Sequence, residues 1–141
     1  MTRDGASASV AATRRARRFG AAGLLALTVA AGLLVHTLLP DTPATDIAGD
    51  ALYAAAAYLA VVFIAPRLRP LAVGAIAATW CVAVELFQLT GLPLAWGAMF
   101  PPVMLVLGTV FDARDLVIYV AAIALAAAVD AVSTRRTRPR D

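Results

Sequence analysis

Four long apolar segments dominate the pattern of the chain. A helix needs about 20 apolar residues to cross a hydrocarbon core of roughly 30 Å. The pattern therefore predicts four membrane-spanning helices, over residues 19–39, 47–65, 71–90 and 115–132. We expect an all-α integral membrane protein in which residues 19–132 form one four-helix bundle. The flanking residues 1–18 and 133–141 are predicted to be basic tails, the first of them disordered.

The connection between the third and fourth segments, residues 91–114, is also apolar. Three prolines argue against a fifth span, because a proline inside a helix removes a hydrogen bond and clashes with the preceding turn. They are Pro93, Pro101 and Pro102. We interpret the connection as a re-entrant or interfacial segment, with Trp96 and Phe100 as anchors near the lipid head groups. The pattern leaves open whether residues 92–111 re-enter the membrane.

The composition excludes a soluble domain. Hydrophobic residues make up 62% of the 141 residues and charged residues 15%, against about 45–50% and 25% in soluble domains. All twelve basic residues are arginines, and the formal net charge is +3. Because these arginines flank apolar segments rather than covering a polar face, we expect no nucleic-acid partner. A single cysteine, Cys81, excludes a disulfide scaffold.

The positions of the arginines predict the orientation. Eleven of the twelve lie in the two tails and in the link between the second and third spans. Four spans place these three regions on one side, which the positive-inside rule identifies as the cytoplasm. An arginine-only, alanine-rich chain is typical of bacterial GC-rich coding. We therefore expect a multi-pass protein of the bacterial inner membrane with both termini in the cytoplasm. An export signal over residues 19–39 is a weaker alternative, because that segment is long for a signal.

Polar side chains gather in the half of the membrane that this orientation makes the outer one. Three spans each carry a carboxylate and a hydrogen-bonding partner at helical spacing. The pairs are Asp50 with Tyr53, Glu85 with Gln88, and Asp115 with Tyr119. Arg114 is the only arginine on this side. These seven residues form a candidate binding site.

Simpler structural roles are alternatives for several of these residues. Asp50 fits the N-cap of the second span, and Asp112 with Asp115 fits a capping pair for the fourth. His36 and the tyrosines fit interfacial positions. Outside the candidate site, Asp130 is expected to pair with Arg135 or to contact water.

Glu85 fits a capping role least well, because it lies inside the third span. A charged side chain in the membrane core costs about 2.5–3.5 kcal/mol. We expect either an ion pair with Arg114 or protonation to offset that cost. A functional carboxylate and a buried pair that only fixes helix packing both remain open.

The motifs around these residues resemble the bacterial membrane family called domain of unknown function 2809. The matching motifs are Gly49-Asp50-Ala51-Leu52-Tyr53, Glu85-Leu86-Phe87-Gln88-Leu89, Leu105-Val106-Leu107-Gly108 and Asp115-Leu116-Val117-Ile118-Tyr119. In outline the chain also resembles the VanZ-like proteins, which are associated with glycopeptide-antibiotic resistance. The resemblance implies a small multi-span inner-membrane protein and assigns it no activity. It also implies that Asp50, Glu85, Gln88 and Asp115 belong to the family pattern.

The chain departs from that family pattern at two places. Related proteins tend to carry a basic residue in the third connection and a glycine after the final aromatic residue. Here residues 95–104 contain no arginine, and Ala122 follows the helical turn of Tyr119. Arg114 is the candidate that substitutes for the basic residue.

Our leading hypothesis is a non-enzymatic protein that binds an amphiphile or envelope lipid in an outer-leaflet pocket lined by these carboxylates. A proton- or cation-coupled transporter acting as a homodimer and a structural or assembly partner are the alternatives. Catalysis has weaker support, because no nucleophile set or phosphate-binding glycine loop is recognisable. One histidine, His36, and one cysteine predict no metal site. We expect no cofactor.

Overall fold

The computed structural model describes the backbone of residues 3–136 and the side chains of residues 11–134, and the regular structure over that range is helical. The elements are α1 (Arg3–Leu38), α2 (Pro43–Ile64), α3 (Pro70–Gln88), α4 (Leu92–Met99), a 3₁₀ turn (Pro101–Val103), α5 (Met104–Leu107) and α6 (Ala113–Arg136). Four stretches are long and apolar enough to cross a membrane, and they are Ala11–Leu38, Pro43–Ile64, Pro70–Gln88 and Ala113–Thr134. The prediction of an all-α membrane bundle with four spans is confirmed.

The four long helices alternate in direction, so the bundle has two chemically different ends. Arg17 on α1 contacts Asp130 on α6 at one end, which we call the arginine end. At the other end Glu85, near the end of α3, contacts Asp112, just before α6. We call this the acidic end, and the connection from α3 to α6 lies there.

The first helix begins earlier than the sequence predicts. α1 is helical from Arg3 onward, so it includes most of the segment over residues 1–18 that the sequence predicts to be a disordered tail. This segment is rich in alanine, the best helix former. The hydrogen bonds of Arg17 to the rest of the bundle also fix this end of the helix. At the other terminus α6 continues to Arg136, and residues 137–141 lie outside the described residues.

The start of α2 corrects the predicted role of Asp50. Thr42 is the N-cap, and its side chain accepts a hydrogen bond from the Thr45 backbone, while the Thr45 side chain accepts one from the Thr42 backbone. Pro43 lies in the first turn of α2. Backbone N–H groups in this turn have no hydrogen-bond partner within the helix, so the missing N–H of proline costs no hydrogen bond. Asp50 therefore lies inside α2 and does not cap it. The sequence signal at Thr42 was a capping box, and the expected boundary at residue 47 was four residues late.

The core of the bundle is formed by α2, α3 and α6, which pack against one another, whereas α1 packs along α2. Small side chains allow the close approach of these helices. A Cβ at Gly74 of α3 would lie 3.5 Å from Ile123 and 3.7 Å from Ala127, both on α6. Further buried members of this core are Ala54, Tyr58, Val73, Ala77 and Cys81.

The outer surface of the bundle is apolar. Leu71 is 83% exposed, Ile64 74% and Val117 70%. Large exposed apolar side chains on every long helix would destabilise a protein in water, but they match a lipid environment. The surface thus agrees with the four-span assignment.

The connection between α3 and α6 is a chain of short helices instead of a fifth span. Gly91 adopts the left-handed conformation with φ 71° and ends α3, and Pro93 lies in the first turn of α4. Pro101 then starts the 3₁₀ turn that separates α4 from α5. The rings of Phe87 and Trp96 hold α4 against the end of α3, with centroids 5.5 Å apart. The predicted effect of the prolines is confirmed.

Candidate functional site

Glu85 lies in the last turn of α3 and is fully buried. Its Oε1 accepts a hydrogen bond of 3.1 Å from the Tyr119 hydroxyl on α6, and its Oε2 accepts one of 3.2 Å from the backbone N–H of Asp112. The predicted ion pair between Glu85 and Arg114 is wrong. Two hydrogen bonds instead satisfy this carboxyl group, because the α3–α6 connection folds back over the end of α3.

Arg114 interacts with acidic side chains of its own segment. Its guanidinium lies 3.8 Å from an Asp112 carboxylate oxygen and 3.6 Å from Asp115 Oδ1. Asp112 Oδ1 also accepts a hydrogen bond of 2.8 Å from the Arg114 backbone N–H. Asp112 therefore caps α6, which confirms that part of the predicted capping pair. Asp115 lies in the first turn of the helix.

The carboxyl groups of Asp50 and Asp115 face each other between α2 and α6 and interact electrostatically with each other. Asp50 Oδ2 and Asp115 Oδ1 are buried and accept no hydrogen bond from an N–H or hydroxyl group of the described residues, while the two carboxyl groups lie within hydrogen-bonding reach of each other. Glu85 lies near enough to interact electrostatically with both. Carboxyl groups thus outnumber basic side chains at the acidic end among the described residues.

Tyr53 connects α2 to α3 and to the α3–α6 connection. Its hydroxyl donates a hydrogen bond of 2.6 Å to the Val106 carbonyl and accepts one of 3.0 Å from Trp80 Nε1. Its ring packs against that of Tyr119, with centroids 5.8 Å apart. Asp50 and Tyr53, which the sequence predicts to share one face of α2, therefore lie at the same site.

Gln88 binds the next carbonyl group of the α3–α6 connection. Its Nε2 donates a hydrogen bond of 2.9 Å to the Leu107 carbonyl, while its Oε1 is buried without a partner among the described residues. Gly108 follows, with φ 62° and ψ −160°, a conformation essentially restricted to glycine. A Cβ at Gly108 would collide with the Gln88 amide. Glycine is therefore required here by the backbone conformation, and any larger residue would also displace the Gln88 amide.

Two adjoining cavities lie beside these residues. The first, which we call the apolar cavity, has a volume of about 680 Å³. It reaches from Asp50 to Ala60, and Ala60 lies about 25 Å along the axis from the start of α2 at 1.5 Å per residue. Its wall includes Leu25, Val29, Leu52, Ala57 and Val84. A volume in this range is typical of ligand-binding pockets.

The second cavity, which we call the acidic cavity, has a volume of about 630 Å³ and lies at the acidic end. Its wall includes Asp41, Asp46, Asp112, Arg114 and Asp115. Asp50, His36 and Gly108 line both cavities, so the two spaces adjoin. The His36 side chain is exposed.

The structure distributes the seven candidate site residues over these cavities unequally. Tyr53, Gln88 and Tyr119 line the apolar cavity, Arg114 and Asp115 line the acidic one, and Asp50 lines both. Glu85 is not among the described residues that line either, because it lies behind Tyr119. Sequence reasoning missed Trp80 and the carbonyl groups of residues 106 and 107. Only Gly108, within the recognised Leu105–Gly108 motif, signalled that this part of the connection approaches α3.

A second polar cluster lies at the arginine end. The Arg17 guanidinium donates hydrogen bonds to Asp130 Oδ2 at 2.6 Å and to the Pro66 and Leu68 carbonyls at 2.7 and 2.8 Å. The Tyr58 hydroxyl donates to the same Asp130 oxygen at 2.9 Å. Among the described residues Arg17 of α1 is the cationic partner of Asp130, and the side chain of Arg135, with which Asp130 was predicted to pair, lies outside the described residues. The misplaced start of α1 concealed this pair from the sequence analysis.

The described residues contain no group of three histidine, cysteine, aspartate or glutamate side chains arranged to hold a metal ion. Cys81 is a buried free thiol in the core. The chemistry that the described site offers is therefore hydrogen bonding and charge, beside an apolar cavity.

Comparison with known families establishes the affiliation of the chain. A family described as "Protein of unknown function (DUF2809)" matches residues 39–123, more than half of the chain. The chain belongs to this family. The match runs from the start of α2 into α6 and includes Asp50, Glu85, Gln88 and Asp115. The motif resemblance to DUF2809 is confirmed, while the likeness to VanZ-like proteins stays a prediction. No curated protein and no solved structure matches the chain significantly.

Proposed function

We propose that this DUF2809 member is a non-enzymatic membrane protein that binds an amphiphile or envelope lipid with a cationic or hydroxyl-rich head group. The chain of the ligand lies in the apolar cavity and the head group lies beside Asp50. The observation that carries the proposal is that Asp50 lines both cavities. At Asp50 the long apolar cavity meets the cavity that is lined by carboxylates.

The charge of the site supports a head group that donates hydrogen bonds or carries positive charge. Asp50, Asp115, Asp112 and Glu85 lie together, and Arg114 is their cationic neighbour among the described residues. Like charges at short distance in a medium of low dielectric repel each other strongly. A cationic group between Asp50 and Asp115 relieves this repulsion, whereas an anionic head group increases it.

The packing of α1 supports entry of a chain from the side. α1 packs on α2, and the apolar cavity lies between these helices and the α3–α6 connection. The α1 side of the wall includes the small residues Gly32 and Thr28 beside larger apolar ones such as Leu25 and Val29. A lipid chain that lies in this cavity does not displace the α2–α3–α6 core.

The proposal includes an orientation in which this site lies in the outer leaflet of a bacterial inner membrane and both termini lie in the cytoplasm. The support is the distribution of arginines, because Arg17, Arg67 and Arg69 lie at the end opposite Asp50. A fluorescent reporter that folds only in the cytoplasm, fused after Asp141, tests this orientation. Fluorescence is expected, and a dark but stable fusion contradicts it.

Binding of n-dodecylammonium to the protein in phosphatidylcholine nanodiscs tests the proposed function. Calorimetric titration with subtraction of empty nanodiscs is expected to show saturable binding. Asp50→Asn is expected to weaken it at least about tenfold, since hydrogen bonds to charged groups contribute about 1.5–3 kcal/mol. Asp46→Asn is the matched control, because this exposed carboxyl group lies one turn away, and its loss is expected to be smaller.

The source of a natural ligand is tested separately by mass spectrometry of lipids that co-purify with the protein. An envelope lipid that is retained by the wild type and lost from Asp50→Asn identifies the membrane itself as the source. Binding of added dodecylammonium without any retained lipid identifies a free amphiphile. Absence of saturable binding in both measurements contradicts the proposed function.

A further inference from the structure

Two residues that line the apolar cavity carry a buried oxygen atom that accepts no hydrogen bond from an N–H or hydroxyl group of the described residues. They are Gln88, through Oε1, and Asp50, through Oδ2, whose carboxyl group faces that of Asp115. The Gln88 residue is only 7% exposed. A buried acceptor without a donor costs about 1–3 kcal/mol. The two atoms therefore indicate what a ligand in this cavity must supply.

The orientation of the Gln88 amide follows from its neighbour. The Leu107 carbonyl has no hydrogen to donate, so the amide nitrogen of Gln88 must face it. The reverse orientation would place two oxygen atoms against each other. Gln88 Oε1 is thus fixed as an acceptor, and Gly108 permits the close approach that holds the amide in place.

The donors around these two acceptors are already engaged. The Tyr53 hydroxyl donates to the Val106 carbonyl, and Trp80 Nε1 donates to Tyr53. The Tyr119 hydroxyl donates to Glu85. Tyr53 and Gln88 bind two successive carbonyl groups of the same connection. These engaged donors leave one acceptor each on Asp50 and Gln88, two residues that line the same cavity.

We infer that the ligand of this cavity carries a primary ammonium head group, whose N–H groups donate to Asp50 and Gln88. The inference rests on the proposed function and names its ligand class. A trimethylammonium head group has the same charge but no N–H donor, so it leaves both acceptors unpaired. A neutral hydroxylated head group has donors but no charge to offset Asp50 and Asp115. The site thus selects for charge and donors together.

The experiment compares three single-chain amphiphiles with the same alkyl chain. They are n-dodecylammonium, dodecyltrimethylammonium and dodecyl maltoside, each titrated calorimetrically into the protein in phosphatidylcholine nanodiscs. The wild type is expected to bind dodecylammonium at least about tenfold more tightly than either of the others. Gln88→Met removes the amide acceptor at similar size, and it is expected to reduce this preference to about threefold or less. Thr79→Val is the control, because Thr79 bonds only to its own helix and lines neither cavity among the described residues.

The outcomes separate this inference from the proposed function. Equal binding of dodecylammonium and dodecyltrimethylammonium by the wild type overturns the inference and leaves the proposed function standing. Tighter binding of dodecyl maltoside also overturns it. Absence of saturable binding by all three contradicts the proposed function itself. Full retention of the preference in Gln88→Met overturns the role of Gln88, and the wild-type comparison decides the ligand class even if that variant does not fold.

Discussion

The guanidinium of Arg17 and the carboxylate of Asp130 lie 2.6 Å apart, with about one sixth of each side chain exposed. They join the first and last spans across 113 residues of sequence, although α1 otherwise packs along α2. Tyr58 donates to the same carboxylate, so this cluster connects α1, α2 and α6. It fixes the end of α1 that lies opposite the cavities.

Arg17→Gln is therefore expected to destabilise the protein by about 2–4 kcal/mol, because it leaves the largely buried Asp130 carboxylate without its charge partner. Equilibrium unfolding in mixed dodecyl sulfate micelles measures this loss. Asp130→Asn is expected to lower stability similarly, and the double variant is expected to lose less than the sum. Arg15→Gln, at an exposed position on the same helix, is expected to change stability by no more than about 0.5 kcal/mol. Strictly additive losses contradict the coupling of the pair.

The hydrogen bond between Tyr119 and Glu85 leads to a second prediction. Tyr119→Phe removes the donor to Glu85 Oε1 and is expected to destabilise the protein by about 1–2 kcal/mol. Glu85→Gln keeps one acceptor for either Tyr119 or the Asp112 backbone, so a loss of similar size is expected. Glu85→Ala removes both acceptors and leaves a cavity, and about 2–4 kcal/mol is expected.

The same unfolding measurement tests these values, with Thr79→Val as a variant that removes only an exposed hydroxyl from α3. If Glu85→Gln is as stable as the wild type while Tyr119→Phe is not, the carboxylate is not needed as a double acceptor. That result shows that Glu85 is kept for another reason, and proton transport assays then become the relevant measurement.

The spans and the acidic end were predictable from the sequence because a lipid environment strongly restricts which sequences form membrane-spanning helices. Length and hydropathy locate the helices, and prolines exclude a fifth one. The depth of Asp50, Glu85 and Asp115 then follows from 1.5 Å per residue, so their gathering at one end was foreseeable.

The pairing of these side chains was not predictable, since it depends on the path of the connection. Arg114 was the obvious charge partner of Glu85, but the connection brings the Asp112 backbone to Glu85 instead. The pairing of Arg17 was not predictable either. A segment rich in alanine and serine resembles a disordered tail in sequence, and only a tertiary contact shows that it is ordered. Backbone groups such as the Val106 and Leu107 carbonyls leave no sequence signal at all.

Gly108 and Gly91 form a natural pair for a third prediction, because both have positive φ but different surroundings. The Cβ that Gly91→Ala adds has no atom within 4 Å. Only the left-handed backbone conformation opposes this substitution, and it is expected to lower the free energy of unfolding by about 1–2 kcal/mol. Gly108→Ala combines a conformation essentially restricted to glycine with a collision against the Gln88 amide. It is expected to cost at least about 3 kcal/mol and to abolish dodecylammonium binding.

Unfolding and calorimetric titration on the same preparations check this pair. Gly91→Ala is expected to bind dodecylammonium as the wild type does. Equal stability losses for the two variants contradict the close approach of Gly108 to α3.

Thr42 caps α2 and Asp50 lies within it, and substitutions of these two residues are expected to change the stability of the protein in opposite directions. Thr42→Ala removes the side-chain cap of α2, and a loss of about 1 kcal/mol is expected. Asp50→Asn removes a partly buried carboxyl group that faces the carboxyl group of Asp115, so the stability of this variant is expected to equal or exceed that of the wild type. A residue whose removal stabilises the fold but weakens ligand binding is kept for binding. The decisive comparison is unfolding and dodecylammonium titration on both variants, with Thr42→Ala expected to retain binding. A clear stability loss in Asp50→Asn instead assigns this carboxylate to helix packing, because the fold then needs its charge.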